Sequence, residues 1–369
     1  MATATASGTT QPAPYTVLLY GHDTIECAYY LRAASGQGID FDELAVQREA
    51  LRQSKRKDPA VIALGDMEFL LQRYGSSSGF PFVLIHPDWT IECGQYNNPS
   101  FYVTYRSEAL WREGAFALHE RFRAWALSLG FYEYKAEGLS RVDSTFDVYL
   151  PQVDFDEDRF VSLADTDTRH RRDRRIRGFR FGESDVLMRV YDKVAEIRES
   201  SFKVWFYDIW GVQEDVWRVE WQARKEMLRR FGIRTLVDLR ERQGDLLRYL
   251  AQEHDTLRVP NGDSNRSRWP LHPLWTELQR YIALIEGLGV YREIDPQAAI
   301  RQRLARLAIS LYGYLKQVAA LESLRLGGEY LTQPEAMRVL GLLVARVHDP
   351  LVWQMDVTKR MDHIRLGQW

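Results

Sequence analysis

RVDSTFD (residues 141–147) alternates polar and apolar side chains, and two later stretches, LMRVYDK (187–193) and RVEWQAR (218–224), do the same. Successive side chains of a β-strand point to opposite faces, so this alternation predicts strands with one apolar face and one polar face. The apolar members, such as Phe146 and Trp221, suit a hydrophobic core. The sequence therefore predicts three half-buried strands.

The polar faces of these strands carry a chemically reactive set of side chains. They are Arg141, Asp143, Thr145 and Asp147 on the first strand, Arg189, Tyr191 and Lys193 on the second, and Arg218, Glu220, Gln222 and Arg224 on the third. If the strands share a sheet, a tyrosine, three carboxylates and several cations lie on one surface. Such a surface is typical of a site that cuts phosphodiester bonds.

Composition and charge place the chain among ordinary globular proteins. Of its 369 residues, 45% are hydrophobic and 27% are charged, and the formal net charge is −2. Its two cysteines, Cys27 and Cys93, provide neither a disulfide framework nor a metal cage. No apolar run approaches the length of a membrane span. We therefore expect a cytoplasmic protein with no membrane partner.

The chain is long enough for more than one folding unit. We predict an α+β fold, with an antiparallel-sheet catalytic region made of two related sheet-and-helix units and a helical C-terminal domain. The predicted segments are a disordered leader (1–14), an N-terminal sheet-and-helix unit (15–130), a catalytic unit (131–259) and the helical C-terminal domain (260–369). Within the first unit, residues 24–34 are predicted to be helical, and Glu108–Leu129 is predicted to form one amphipathic helix.

Tyr191 is the candidate nucleophile. A phenol has an ordinary pKa of about 10 and is neutral at pH 7, so it needs help to attack phosphorus. Arg189 and Lys193 flank Tyr191 at two residues on either side, and nearby cations favour the charged phenolate. A single tyrosine of this kind is more often an exposed cross-strand partner, and the coincidence of three such strands favours catalysis. We therefore predict catalytic roles for Tyr191, Arg189 and Lys193.

The carboxylates of the polar faces are candidate metal ligands. The sequence contains no GxxxxGK phosphate loop, no HExxH motif and no CxxC motif. Carboxylate oxygens favour Mg²⁺ or Mn²⁺ as the bound ion. We expect Asp143, Asp147 and Glu220 to hold such an ion, which would polarise a scissile phosphate.

A basic segment separates the first and second of these strands. It contains seven arginines, which are Arg169, Arg171, Arg172, Arg174, Arg175, Arg177 and Arg180. Arginines crowded in this way repel one another unless an anion lies close by. We predict that the segment is a loop near the active face that binds DNA phosphates without reading bases.

FRFGESDVLMRVYDK (residues 179–193) resembles the fingerprint of the replication initiation factor family. That family includes rolling-circle initiators of small plasmids, replication proteins of some filamentous phages and nickases of certain integrative conjugative elements. Its members show an Arg-hydrophobic-Tyr-acid/Asn-Lys segment whose tyrosine, here Tyr191, becomes joined to DNA. RVDSTFD is similar to the family's Arg-x-Asp-x-x-x-Asp strand, and Arg218-Val219-Glu220 is similar to its Arg-x-Glu strand. The resemblance covers residues 82–231 and departs at Glu183, where a small polar residue is usual.

The residues and the resemblance together predict a rolling-circle replication initiator that nicks and rejoins one DNA strand at an origin. Its partner would be origin DNA, single-stranded or supercoiled, with a host helicase and a second copy of the chain as further candidates. Two alternatives stay open: a conjugative relaxase of the same family, and a non-catalytic initiator that binds origin DNA and does not need Tyr191. A tyrosine recombinase is disfavoured, because its tyrosine lies on a C-terminal helix.

Overall fold

The computed structural model describes residues 11–54, 60–172, 174–287 and 296–365. Most of the predicted leader (1–14) lies outside these residues. The chain divides into two units, residues 1–292 and residues 293–369. All the strands described belong to the first unit.

The described strands of the first unit form one large sheet and one small one. In chain order they are β1 (Val17–Ala33), β2 (Ala60–Leu64), β3 (Met67–Leu71), β4 (Phe82–Ile85), β5 (Trp89–Cys93), β6 (Phe101–Tyr105), β7 (Phe131–Tyr149), β8 (Phe160–Ser162), β9 (Asp167–Arg172), β10 (Arg175–Phe181), β11 (Val186–Asp192), β12 (Val216–Arg224) and β13 (Asp255–Leu257). β8 and β13 pair with each other. The other 11 strands form an antiparallel sheet in the order β2-β3-β4-β5-β6-β1-β7-β12-β11-β10-β9.

The two longest strands, β1 and β7, lie side by side at the centre of the large sheet. They pair antiparallel from Val17 opposite Val148 to Ala33 opposite Phe131. β6, β5 and β4 follow on the β1 side, and β12, β11 and β10 follow on the β7 side. In each half, the strand that comes last in the chain pairs with the long central strand: β6 pairs with β1, and β12 pairs with β7. A helix follows each of these two strands. The two halves therefore repeat one topology, as predicted, but they share a single sheet.

Helices connect and cover the strands. Those of the first unit are α1 (Phe41–Gln53), α2 (Ser107–Glu113), α3 (Ala115–Ser128), α4 (Lys193–Glu196), α5 (Phe206–Trp210), α6 (Lys225–Arg230), α7 (Leu236–Tyr249) and α8 (Pro273–Ile282). The second unit contains α9 (Pro296–Arg325), α10 (Gln333–Val347) and α11 (Pro350–Arg365). The α+β class and the helical C-terminal region agree with the prediction. None of the helices described is long and apolar enough to cross a membrane.

Aromatic residues of β7, β12 and α8 form the core beneath the predicted site. The ring centroids of Phe146 and Trp221 lie 6.0 Å apart, and those of Trp221 and Trp275 lie 5.7 Å apart. β11 adds Met188 and Val190, which are fully buried. The apolar members of the three alternating stretches therefore occupy the core as predicted.

Two predicted helices differ from the structure. Residues 24–33 are extended in β1, which ends at Ala33, and every second residue from Ile25 to Leu31 is buried. Burial with a period of two belongs to a strand, and β1 pairs with β7 on one side and with β6 on the other. The helix predicted over Glu108–Leu129 is two helices, α2 and α3. They separate at Gly114, whose φ of 81° interrupts the helical backbone.

The first unit extends beyond the predicted boundary at residues 259 and 260. α8 belongs to its core, because Trp275 and Leu278 are fully buried there. The backbone N–H of His272 also donates to the carbonyl of Leu257 (3.0 Å), next to the small sheet. The separate helical unit therefore begins at residue 293. The boundary predicted between residues 130 and 131 falls inside the large sheet, at the start of β7.

Candidate active site

The three alternating strands are neighbours, in the order β7-β12-β11. Their register sets rows of side chains across the polar face. In one row Arg218 lies between Asp147 and Tyr191. In the next row Glu220 lies opposite Arg189. The structure therefore brings the tyrosine, the arginines and the carboxylates onto one face, as the alternation predicts, but not Lys193.

This polar face is buried, which the sequence did not reveal. Six of its members are at most 5% exposed, and they are Asp143, Thr145, Asp147, Arg218, Glu220 and Gln222. Part of the cover is α5. The indole N–H of Trp210 donates to Asp147 (2.9 Å), and the Phe206 ring centroid lies 4.8 Å from the guanidinium carbon of Arg218. Charges under such a cover interact more strongly than charges in water.

Arg218 is the centre of the buried charges. It donates to both oxygens of Asp147 (2.6 and 2.9 Å) and to Asp23 (2.9 Å). Sequence reasoning missed Asp23, which lies in β1 where the register shifts between His22 and Thr24. Such a bulge redirects side chains near functional sites, and no sequence pattern signals it. Burial opposes ionisation of Asp23, but the charges of Arg218 and two lysines hold its pKa well below the ordinary value.

Tyr191 is half-buried, and its hydroxyl donates a hydrogen bond to Glu220 (3.0 Å). The other carboxylate oxygen of Glu220 accepts from Arg189 (2.5 Å). Burial, and then the charge of Glu220, raise the pKa of Tyr191 well above its ordinary value, and Arg218 opposes this rise. The expected lowering of the pKa by flanking cations is therefore wrong for this arrangement, in which Glu220 neutralises Arg189. A carboxylate is instead placed to accept the phenol proton.

Lys193 does not lie on the strand face, because β11 ends at Asp192. The Asp192 side chain caps α4 by accepting from the backbone N–H of Ala195 (2.9 Å). The buried ammonium group of Lys193 pairs with Glu196 (2.6 Å) and lies 5.7 Å from the centroid of the Tyr191 ring. Burial lowers the pKa of Lys193. Lys193 therefore approaches the ring of Tyr191 from the end of β11.

The predicted metal ligands are engaged by arginines. Arg218 binds both oxygens of Asp147, and Arg141 donates to both oxygens of Asp143 (2.8 and 2.5 Å). Burial raises the pKa of Asp143 to about 6 against the opposing effect of Arg141, and the charge of Glu220 adds to the rise. Within the part of the chain that is described, no three His, Cys, Asp or Glu side chains are placed to hold a metal ion. The predicted set of three carboxylates therefore does not fit a metal ion in this arrangement.

The arginine segment is a β-hairpin rather than a loop. β9 pairs with β10, and Arg174 at the turn has a left-handed backbone (φ 66°). Three of the arginines pair with acidic neighbours: Arg169 with Glu157, Arg172 with Glu199, and Arg177 with Asp192. Among the described residues, no ion pair involves the other four, which are Arg171, Arg174, Arg175 and Arg180. The hairpin therefore presents positive charge at an outer edge of the sheet.

β10 extends the polar face by one strand. Arg180 lies opposite Arg189, and Gly178 lies opposite Tyr191. A Cβ atom at position 178 would lie 2.8 Å from the Cβ of Tyr191, so a glycine allows the close approach. Like charges directly opposite each other on paired strands are destabilising, and Glu220 neutralises only Arg189. Arg180 is therefore a half-buried cation, near the Tyr191–Glu220 pair, that favours a bound anion.

We predict that Arg218→Met lowers the free energy of unfolding by about 3–5 kcal/mol, because Asp147 is then buried without its partner. The double variant Arg218→Met/Asp147→Leu should recover most of this loss, because that buried charge is also removed. Urea unfolding at pH 7 measures both. Arg224→Met, at the exposed end of the same strand, is the control and should change stability by less than about 0.5 kcal/mol. A double variant as unstable as the single one would contradict the expectation.

Comparisons with known proteins give a likeness to solved structures. No protein-family model matches the chain, and no curated protein matches it. Among solved structures, the chain is similar to a rolling circle replication initiator protein from Geobacillus stearothermophilus, with a TM-score of 0.44 and 16% sequence identity. The similarity covers 72% of this chain and 97% of that protein.

Proposed function

We propose that this chain is a rolling-circle replication initiator that nicks one DNA strand at an origin and rejoins it through a phosphotyrosine link. The observation that carries the proposal is the hydrogen bond from Tyr191 to Glu220, beside two arginines that face each other across β10 and β11. A nucleophile, a proton acceptor and a pair of cations then lie on one face of the sheet. Strand transfer through a tyrosine needs these three elements.

The scissile phosphate is proposed to bind at Arg180 and Arg189. Guanidinium groups bind phosphate through paired hydrogen bonds, and a bound phosphate would relieve the repulsion between the two arginines. The phosphate would also compete with Glu220 for Arg189. A carboxylate that loses its cation becomes a stronger base. Substrate binding would therefore prepare Glu220 to accept the proton of Tyr191.

In the proposed step, the Tyr191 oxygen attacks the phosphorus atom and the bond from phosphorus to the O3′ of the preceding nucleotide breaks. The phenol proton passes to Glu220, and the leaving O3′ takes up a proton from water to become a free 3′-hydroxyl. The 5′-phosphate of the DNA is then esterified to Tyr191. Because the new bond is also a phosphodiester, a 3′-hydroxyl can reverse the step and rejoin the strand.

A divalent cation, Mg²⁺ or Mn²⁺, stays a prediction without an assigned ligand set. When bound, such an ion would polarise the scissile phosphate. The oxygens of all three predicted ligands are already engaged: those of Asp147 by Arg218 and Trp210, those of Asp143 by Arg141, and those of Glu220 by Arg189 and Tyr191. No part of the step above depends on the ion.

Origin DNA is the proposed principal partner, in the cytoplasm. The arginines of the β9–β10 hairpin that have no ion pair among the described residues support binding to DNA phosphates of any sequence. Reading of the origin sequence is proposed for the helices of residues 296–365. A host helicase and a second copy of the chain are further proposed partners, for which the family resemblance is the reason.

Tyr191→Phe should abolish the covalent adduct with DNA while DNA binding persists, because the substitution removes only the nucleophilic oxygen. The test incubates the protein with supercoiled DNA from its own element and Mg²⁺, and detects the adduct on a denaturing gel. Tyr96→Phe, which changes a tyrosine that is 92% exposed, is the matched control and should form the adduct normally. An adduct formed by Tyr191→Phe at the native rate would refute the nucleophile. A native protein that binds origin DNA without any adduct would support the non-catalytic alternative.

Glu220→Gln should slow adduct formation by about 10²–10⁴-fold, the usual contribution of a positioned general base. The rate of the variant should recover as the pH rises, because hydroxide can then remove the phenol proton. The pH profile of the rate distinguishes this role from a structural one, which would lower the rate equally at every pH. Glu183→Gln, an exposed substitution in the turn between β10 and β11, is the control.

The triple variant Arg171→Ala/Arg174→Ala/Arg175→Ala should weaken binding to any duplex DNA. The slope of log affinity against log salt should fall by about 0.9 for each DNA phosphate that the variant leaves without an arginine partner. Discrimination between origin and unrelated DNA should survive. The control is Arg169→Ala/Arg172→Ala, which removes arginines that are already paired and should change the slope less. Binding curves for origin and unrelated DNA over a salt series measure the slope and the discrimination. Loss of discrimination at normal affinity would contradict a role of these arginines in binding phosphates of any sequence.

A further inference from the structure

Phe202 has an unusual backbone and an unusual exposure. Its φ of 54° and ψ of 23° lie in the left-handed region, which is costly for a bulky residue without a compensating reason. A π-helical turn, Ile197–Ser201, immediately precedes it, and such turns are frequent at functional sites. The side chain of Phe202 is 69% exposed. Neither its backbone conformation nor its exposure serves the core.

Two other aromatic residues of this segment are buried rather than exposed. Phe206 and Trp210 are buried over the Arg218–Asp147 pair and complete the covered part of the site. Phe202 is left outside, where the apolar side chains of Val204 and Ile209 are also exposed, at 61% and 48%.

Ion pairs and hydrogen bonds fix the segment on both sides of Phe202. On one side, Glu199 accepts from Arg172 (2.6 Å) in the arginine hairpin. On the other side, Lys203 donates to Ser107 (2.7 Å) and lies 4.0 Å from Asp23, which binds Arg218. Phe202 is therefore held between the cationic hairpin and the buried charges next to Tyr191.

We propose that Phe202 stacks on an unpaired base of a single DNA strand whose backbone runs along the arginine hairpin towards Tyr191. An exposed aromatic ring beside cationic side chains is the arrangement that binds single strands, because the ring takes a base while the cations take the phosphates. Charge selects this occupant over an apolar peptide, since the exposed Arg175 lies opposite Arg172 in the arginine hairpin. Only the role of this contact, which is to hold a base next to the nick, rests on the proposed function. The contact itself does not.

The experiment measures a preference for bases. Two labelled strands of about 16 nucleotides are compared by fluorescence anisotropy, one of mixed sequence and one with only abasic deoxyribose phosphates. All proteins carry Tyr191→Phe, so that no cleavage occurs. The parent should bind the base-bearing strand more tightly. Phe202→Ala should reduce that preference about fivefold or more and leave affinity for the abasic strand unchanged.

Three further variants separate stacking from structure. Phe202→Trp should keep the preference, because it keeps an aromatic ring. Phe202→Gly, which also relieves the left-handed backbone, should behave as Phe202→Ala does. Ile209→Ala, an exposed apolar substitution on the same segment, is the matched control and should keep the preference.

Equal weakening on both strands, an unchanged preference in Phe202→Ala, or a parent with no preference would each overturn the proposal. The proposed function is tested separately, by the adduct. A protein that shows the Phe202-dependent preference but never forms the adduct would retain the stacking contact and rule out the nicking function.

Discussion

The buried ion pair between Arg218 and Asp147 is the interaction on which the rest of the site depends. It joins β12 to β7, and the same guanidinium group reaches Asp23 on β1, 195 residues away in the chain. Trp210 brings α5 onto the same carboxylate. A buried ion pair is tolerated only when its polar atoms are well partnered, and these contacts provide the partners. Tyr191, opposite Arg218 across the strands, is therefore placed next to a fixed element.

In the proposed function, the charges around Tyr191 would keep the protein without DNA in a resting state. Its phenol is held neutral, because burial and Glu220 raise its pKa. Glu220 is itself paired with Arg189. In the proposed mechanism the substrate's own phosphate changes this balance. Reactivity would then depend on a correctly placed DNA strand rather than on a permanently ionised tyrosine.

Part of this site could be predicted from the sequence because its strands have one apolar face each. The alternation around Phe146, Val190 and Trp221 predicts which side chains share the polar face, and the register confirms this for all of them except Lys193. Four features could not be predicted. The cover over the polar face comes from a distant segment, Asp23 depends on a bulge, and the run of arginines has no alternation that would reveal a hairpin. The pairing of Arg141 with Asp143 was equally invisible, because residues two apart on a strand meet only when their side chains lean together.

The two outer edges of the large sheet differ in a way that bears on solubility. β9, at one edge, is exposed along its whole length and carries Arg169, Arg171 and Arg172. Charged edge strands resist pairing with another sheet, so the arginines that are proposed to attract DNA also stop the sheet from growing. β2, at the opposite edge, reads AVIAL, and its Val61 is 65% exposed. The short length of β2 is its protection against pairing with another sheet. β2 is therefore the edge where a second sheet would add. A single lysine there would do most to keep concentrated protein in solution.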